Sequence, residues 1–193
     1  MDKVQFTDLE ERLYIACGNT EQIDRYKRSV IMRSVMIALL FAVLAFTGRV
    51  NLMIGIVLAC YSLFNLFAIC RFAAAGDQYR AVQAKIAGRL FERTRNAEYE
   101  AFVREASRDV TERMLRRNSA MLSSFYVVFL GVCFFVMPEP FSGAAASVGT
   151  VVLVLLELKL KLTAANTMKY YRNTIYKLGR TLNEMPREDA PVR

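Results

Sequence analysis

The chain has 193 residues, 54% of them hydrophobic, with 26 Lys and Arg against 18 Asp and Glu, and neither His nor Trp. This length holds one domain's worth of core, which excludes a large multidomain enzyme. Without histidine, His-held haem, His-box di-iron sites, His-bearing zinc sites and Ser–His or Cys–His nucleophile pairs are all excluded. Cys17, Cys60, Cys70 and Cys133 share no metal-site or disulfide-framework spacing. No catalytic residue, cofactor or metal is therefore expected.

The placement of the apolar residues sets the class. Residues 34–48, 50–70, 118–138 and 140–156 carry no charged side chain, in runs of 15, 21, 21 and 17. Those lengths bracket the ~20 residues that cross ~30 Å of hydrocarbon. A 22.0 kDa globule has no interior for four such helices, so the expected fold class is an all-α integral membrane protein with four transmembrane helices.

In chain order, residues 1–28 are polar and lack the basic start and apolar core of a cleaved signal. Thr7, Asp8, Leu9 and Glu10 form a capping-box pattern, with Leu9, Leu13 and Ala16 on one helical face. A break at Gly18 and Asn19 should precede a helix running through the basic cluster Arg25, Lys27 and Arg28 into a first hairpin at 29–70, with spans at about 30–48 and 50–70. Thr47, Gly48, Arg49, Val50 and Asn51 make its turn.

The segment 71–117 repeats apolar residues at helical spacing, first Tyr79, Val82, Ile86 and Leu90, then Tyr99, Phe102, Val103, Ala106, Val110 and Met114. The bend between the two sets is expected at Arg95, Asn96 and Ala97. A second hairpin follows at 118–158, with spans at about 119–137 and 143–160 around the Pro-rich turn 138–143. Residues 159–193 read as a basic amphipathic helix and short tail. Ala164, Met168, Tyr171, Ile175, Leu178 and Leu182 make its apolar stripe, with Lys169, Arg172, Lys177 and Arg180 on other faces. With Gly149 the one glycine and no proline between Gly143 and Gly179, this helix should continue the fourth span. Each half thus orders a charged helix, a hairpin and a basic amphipathic helix, as a parallel repeat would.

Orientation follows from the Lys and Arg of the connections. Residues 1–33 hold six, 71–117 eleven and 159–193 eight, against Arg49 alone in the two tight turns. Both termini and the central segment should face the cytoplasm. The same rule accounts for the net charge of +8, so no nucleic-acid partner is expected.

Several constellations have two readings. Glu157 at membrane depth is a candidate for ion conduction or transport, or it pairs with Lys161 one turn on while Lys159 and Lys161 reach toward headgroups. Asn65 offers an interhelical hydrogen bond, as do Ser62, Ser123 and Ser124. Lys159, Lys161, Lys169, Arg172, Lys177 and Arg180 are candidate contacts to anionic lipid headgroups. Alternatively, the tail stripe packs on other helices or on a partner. Cys70, beside the interface, is a possible palmitoylation site.

The layout of 34–70, 118–156 and the helix at 169–182, covering roughly residues 20–185, resembles the reticulon-type ER-shaping proteins. In size it is nearer the ADP-ribosylation-factor-like-6-interacting protein family. The resemblance implies an oligomer whose paired hairpins and amphipathic helix wedge apart the cytoplasmic leaflet of the bilayer. The 21-residue runs depart from shallow hairpins, since they are long enough to cross fully. An alternative resemblance is to two-helix effectors of the SLATT type, implying an oligomeric channel-like effector. A third possibility is an accessory subunit with a membrane-protein partner. The expected location is the endoplasmic reticulum membrane in a eukaryote or the inner membrane in a bacterium.

Overall fold

A computed structural model describes residues 6–108 and 111–185; about nine tenths of these are helical and none is in a strand. The helices are α1 (Asp8–Cys17), α2 (Glu21–Thr47), α3 (Leu52–Thr94), α4 (Ala97–Ser107), α5 (Thr111–Phe135) and α6 (Phe141–Glu184). Four stretches, Glu21–Thr47, Leu52–Thr94, Ala97–Phe135 and Phe141–Glu184, are long and apolar enough to cross a membrane. Helix lengths repeat between the halves: 10, 27 and 43 residues, then 11, 25 and 44.

Local chemistry sets the boundaries. The Thr7 N–H donates to the Glu10 carboxylate at 3.0 Å, starting α1. Gly48 ends α2 at φ 59°, a left-handed conformation that costs glycine little. The Asn51 side chain accepts from the Ile54 N–H at 3.1 Å, and that of Asn96 from the Glu98 N–H at 2.9 Å, capping α3 and α4. The bend expected at Arg95 and Asn96 falls between these two helices.

Two features of the central segment add to this. No break separates the second span from the central segment, because α3 runs on to Thr94. No proline interrupts it, and its apolar and amphipathic parts keep one helical phase. Of the helically spaced residues from Tyr99 to Met114, those up to Ala106 lie on α4, which ends at Ser107, and Met114 lies on α5, which begins at Thr111, while Val110 lies outside the described residues.

The chain divides into two compact bodies. The first comprises Met1–Glu21, Ala75–Asp109 and Thr167–Arg193. Its core joins Cys17 of α1, Val82, Ile86 and Leu90 of α3, and Ile175, Leu178 and Leu182 of α6, with Tyr99, Phe102 and Val103 of α4 packed on it. Tyr14 stacks between Phe6 and Tyr176, at centroid distances of 5.5 and 5.9 Å. Gly179 leaves the space for that ring, since a Cβ there would stand 2.7 Å from Tyr14 Cε2.

The second body comprises Gln22–Ala74 and Val110–Asn166, so it holds most of α2, the first part of α3, α5 and the first part of α6. Phe41, Leu58, Tyr126, Leu130, Cys133 and Leu153 lie in its core. Its two tight turns touch: a Cβ on Gly143 would meet the carbonyl oxygens of Gly48 and Val50 at 2.6 and 2.9 Å. Only glycine allows that approach.

Candidate functional site

The four-helix body is apolar outside, and small polar side chains are enclosed among the apolar residues of its core. Phe46, Phe64, Phe125 and Phe135 stand on its surface, Phe46 being 94% exposed, while Ser34, Ser62, Ser123, Ser147 and Thr150 are buried. Small hydroxylated residues let helices approach and bond across the gap. Ser123 Oγ donates to the Ser62 carbonyl at 3.5 Å, and the Tyr126 and Thr150 hydroxyls share a hydrogen bond of 2.7 Å. Ser124, the third expected helix-bonding serine, is exposed.

Inside this body the structure brings together Asn65 of α3 with Glu157 and Lys161 of α6. Glu157 is 3% exposed. The Asn65 amide donates to Glu157 Oε2 at 2.6 Å and its carbonyl accepts from Lys161 Nζ at 2.5 Å. The i, i+4 spacing puts both charges on one face of α6, as the sequence implies, and Asn65 bridges them. Lys161 Nζ also lies 5.8 Å from the centre of the Tyr61 ring, within cation–π range. Glu157 Oε1 and Ser62 Oγ are buried without a hydrogen-bond partner. Charge-assisted bonds in so dry a setting clamp α3 to α6.

Lys159 is exposed, so the three charged residues do not form one girdle: Glu157 and Lys161 point inward and Lys159 outward.

The tail residues separate too. Lys177 and Arg180 are exposed, Arg180 pairing with Glu184 at 2.6 Å, and Lys169 is half-buried. Arg172 does not lie on an outer face: it is 8% exposed and donates to the carbonyls of Ala16 and Asn19. It sits between Met168 and Ile175 on the buried stripe, and its charge suits the C-terminal end of α1. That whole stripe, Ala164 to Leu182, is buried within the chain, so between lipid interface and helix packing the structure has the stripe packed. Cys70 is half-buried with a free thiol.

The sequence reading missed the other end of α1. Glu10, 1% exposed, lies 2.9 Å from Lys85 and 3.2 Å from Arg89 of α3. Burial raises its pKa, but the Thr7 N–H, Lys85 and Arg89 together outweigh that and hold it below the usual carboxylate range. The capping pattern had already given Glu10 one role, and nothing in the spacing of 10, 85 and 89 signals the second. Nearby in the chain, burial pushes the Cys17 thiol up to about 11 despite Arg172.

No family model, curated protein or solved structure matches this chain, and its function must be read from the geometry itself.

Proposed function

We propose that this is a non-enzymatic multi-pass membrane protein that organises or shapes its bilayer as an oligomer. In this reading the four-helix body spans the membrane as two hairpins, and both termini lie with the charged body on the cytoplasmic side. The apolar exterior of the four-helix body carries the proposal. Among the described residues, all the exposed large apolar side chains except Leu9, Ile15, Tyr170 and Tyr176 belong to it. In water each would forfeit roughly 1.5–3 kcal/mol relative to burial. A dozen of them already outweigh the ~5–15 kcal/mol by which a domain is stable. Hydrocarbon removes that cost, and the charge asymmetry of the connections supplies the orientation.

The paired hairpins carry the organising role. The tail helix contributes less than the resemblance implies, because its apolar stripe is packed inside the chain and has no free apolar face for the interface. The inward Glu157 and Lys161 count against an oligomeric pore ringed by these residues.

Reconstitution into liposomes tests this, with electron microscopy and ion leakage followed on one sample. Remodelled vesicles without leak are expected. Leak without remodelling contradicts the reading and favours a channel-like effector.

A second reading, an accessory subunit, is favoured by one observation. An apolar groove of about 740 Å³ lies between α5 and α6, lined by Phe125, Phe129, Val148 and Val152 among others, and could seat a partner's helix. Unaltered liposomes together with a stable heteromeric complex on gentle solubilisation would support it.

A further inference from the structure

A second cavity in the four-helix body, of about 450 Å³, lies between α2 and α3 and is bounded by Lys161 of α6. Among the described residues lining it, Arg33 and Lys161 are the charged ones and none is a carboxylate. Their charges lie close enough to act on each other. Lys161 is partly balanced by Glu157 and spends one of its three N–H donors on Asn65. Arg33 brings a planar fork suited to two oxygens of one anion. Tyr26 and Tyr61 add hydroxyls, while Val30, Met36, Ile37 and Phe64 make the remaining wall apolar. Arg33 immediately precedes the uncharged run 34–48, with Met36 further along it, and Lys161 reaches Asn65, the neighbour of Phe64. The cavity thus sets cationic and hydrogen-bonding groups beside apolar side chains. An anionic amphiphile complements both, whereas a free anion leaves the apolar wall unused.

We propose that this cavity binds one anionic phospholipid, with Arg33 and Lys161 holding the phosphate and Met36 and Phe64 flanking the start of an acyl chain. The proposal rests on the membrane reading above and adds a specific lipid to it. About 450 Å³ admits a headgroup and the first methylenes of a chain, the rest lying along the exposed apolar surface.

Native mass spectrometry of the full chain, delipidated in neutral detergent and titrated with phosphatidylglycerol or phosphatidylcholine, tests the proposal. The wild type should retain one phosphatidylglycerol at least tenfold more tightly than phosphatidylcholine. Arg33→Gln, at an exposed position, should remove most of that preference while helicity and thermal melting stay unchanged. Soluble glycerol phosphate should compete poorly. Equal affinity for the two lipids, or unchanged selectivity in Arg33→Gln, overturns the proposal. Full competition by glycerol phosphate overturns it as well, leaving a phosphate site without lipid recognition. Carbonate-resistant flotation with phosphatidylcholine-only liposomes separates the two levels. If the protein floats and selectivity is absent, only the lipid site fails; if it does not float, the membrane reading fails first.

Discussion

In the body built from α1, α4 and the later parts of α3 and α6, Ile86, Leu90 and Ile175 are fully buried and Lys177 and Arg180 stand outside. In the four-helix body Phe125 and Phe135 stand outside, and Asn65, Ser147 and Thr150 are enclosed. The same helices, α3 and α6, supply both bodies, so helix formation does not make the difference. The exposed side chains do: one surface is charged and the other apolar, while both cores are largely apolar and the second encloses small polar groups as well. Polar groups also serve differently. Glu10 and Arg172 hold the two ends of α1 from α3 and α6, whereas Asn65, Glu157 and Lys161 tie two long helices side by side.

Core truncation should break the comparison most sharply. Ile175→Ala removes a fully buried side chain and should cost about 2–5 kcal/mol. Val128→Ala, on an exposed side chain of α5, should change stability little; denaturation in mild detergent micelles measures both. Inverting the surfaces comes next. Val128→Lys should raise the cost of inserting α5 by about 2.5–3.5 kcal/mol if it sits near mid-bilayer, read as lost membrane integration. Lys177→Leu on the charged body should leave integration intact.

Smaller effects sharpen the account of α1. Glu10→Gln removes a buried carboxylate whose partners are part-exposed, and should cost about 1–2 kcal/mol in denaturant titrations. Because folding lowers the Glu10 pKa, its stabilisation is present above the ordinary carboxylate value and is lost as pH falls through the lowered one. The wild type should therefore weaken on acidification more than Glu10→Gln does. Cys17 behaves oppositely: with its thiol raised to about 11, its contribution is intact below the ordinary thiol value and is lost as pH rises from there through about 11. At pH 8 Cys17 should resist alkylation until the protein unfolds.

The helices were legible in the sequence because charge-free runs, the capping pattern at Thr7 and the turns at 47–51 and 138–143 are local signals. The apolar stripe from Ala164 to Leu182 was legible for the same reason. Its covering was not, since Cys17, Ile86 and Leu90 reach it only through tertiary contact. Asn65, Glu157 and Lys161 each stood out as polar residues within or beside apolar runs, but a separation of 92 positions between Asn65 and Glu157 hides that they meet. Arg172 reads as lying off the apolar stripe, among the headgroup candidates, because it is a charged residue beside Tyr171; its use by the carbonyls of Ala16 and Asn19 depends on where α1 folds back. The continuity of α3 from Leu52 to Thr94 has no local signal of its own, since a rise in charge within a helix neither marks nor makes a boundary.

The most direct test of the central claim, that the four-helix body spans a bilayer with both connections of one kind on each side, is side-specific labelling. Single cysteines at Arg49, Asn96, Glu139 and Glu184, in a chain otherwise free of cysteine, are exposed to a membrane-impermeant maleimide on sealed, oriented vesicles. Labelling of positions 96 and 184 from one side and of 49 and 139 only from the other is the predicted result. Labelling of all four from the same side would contradict it.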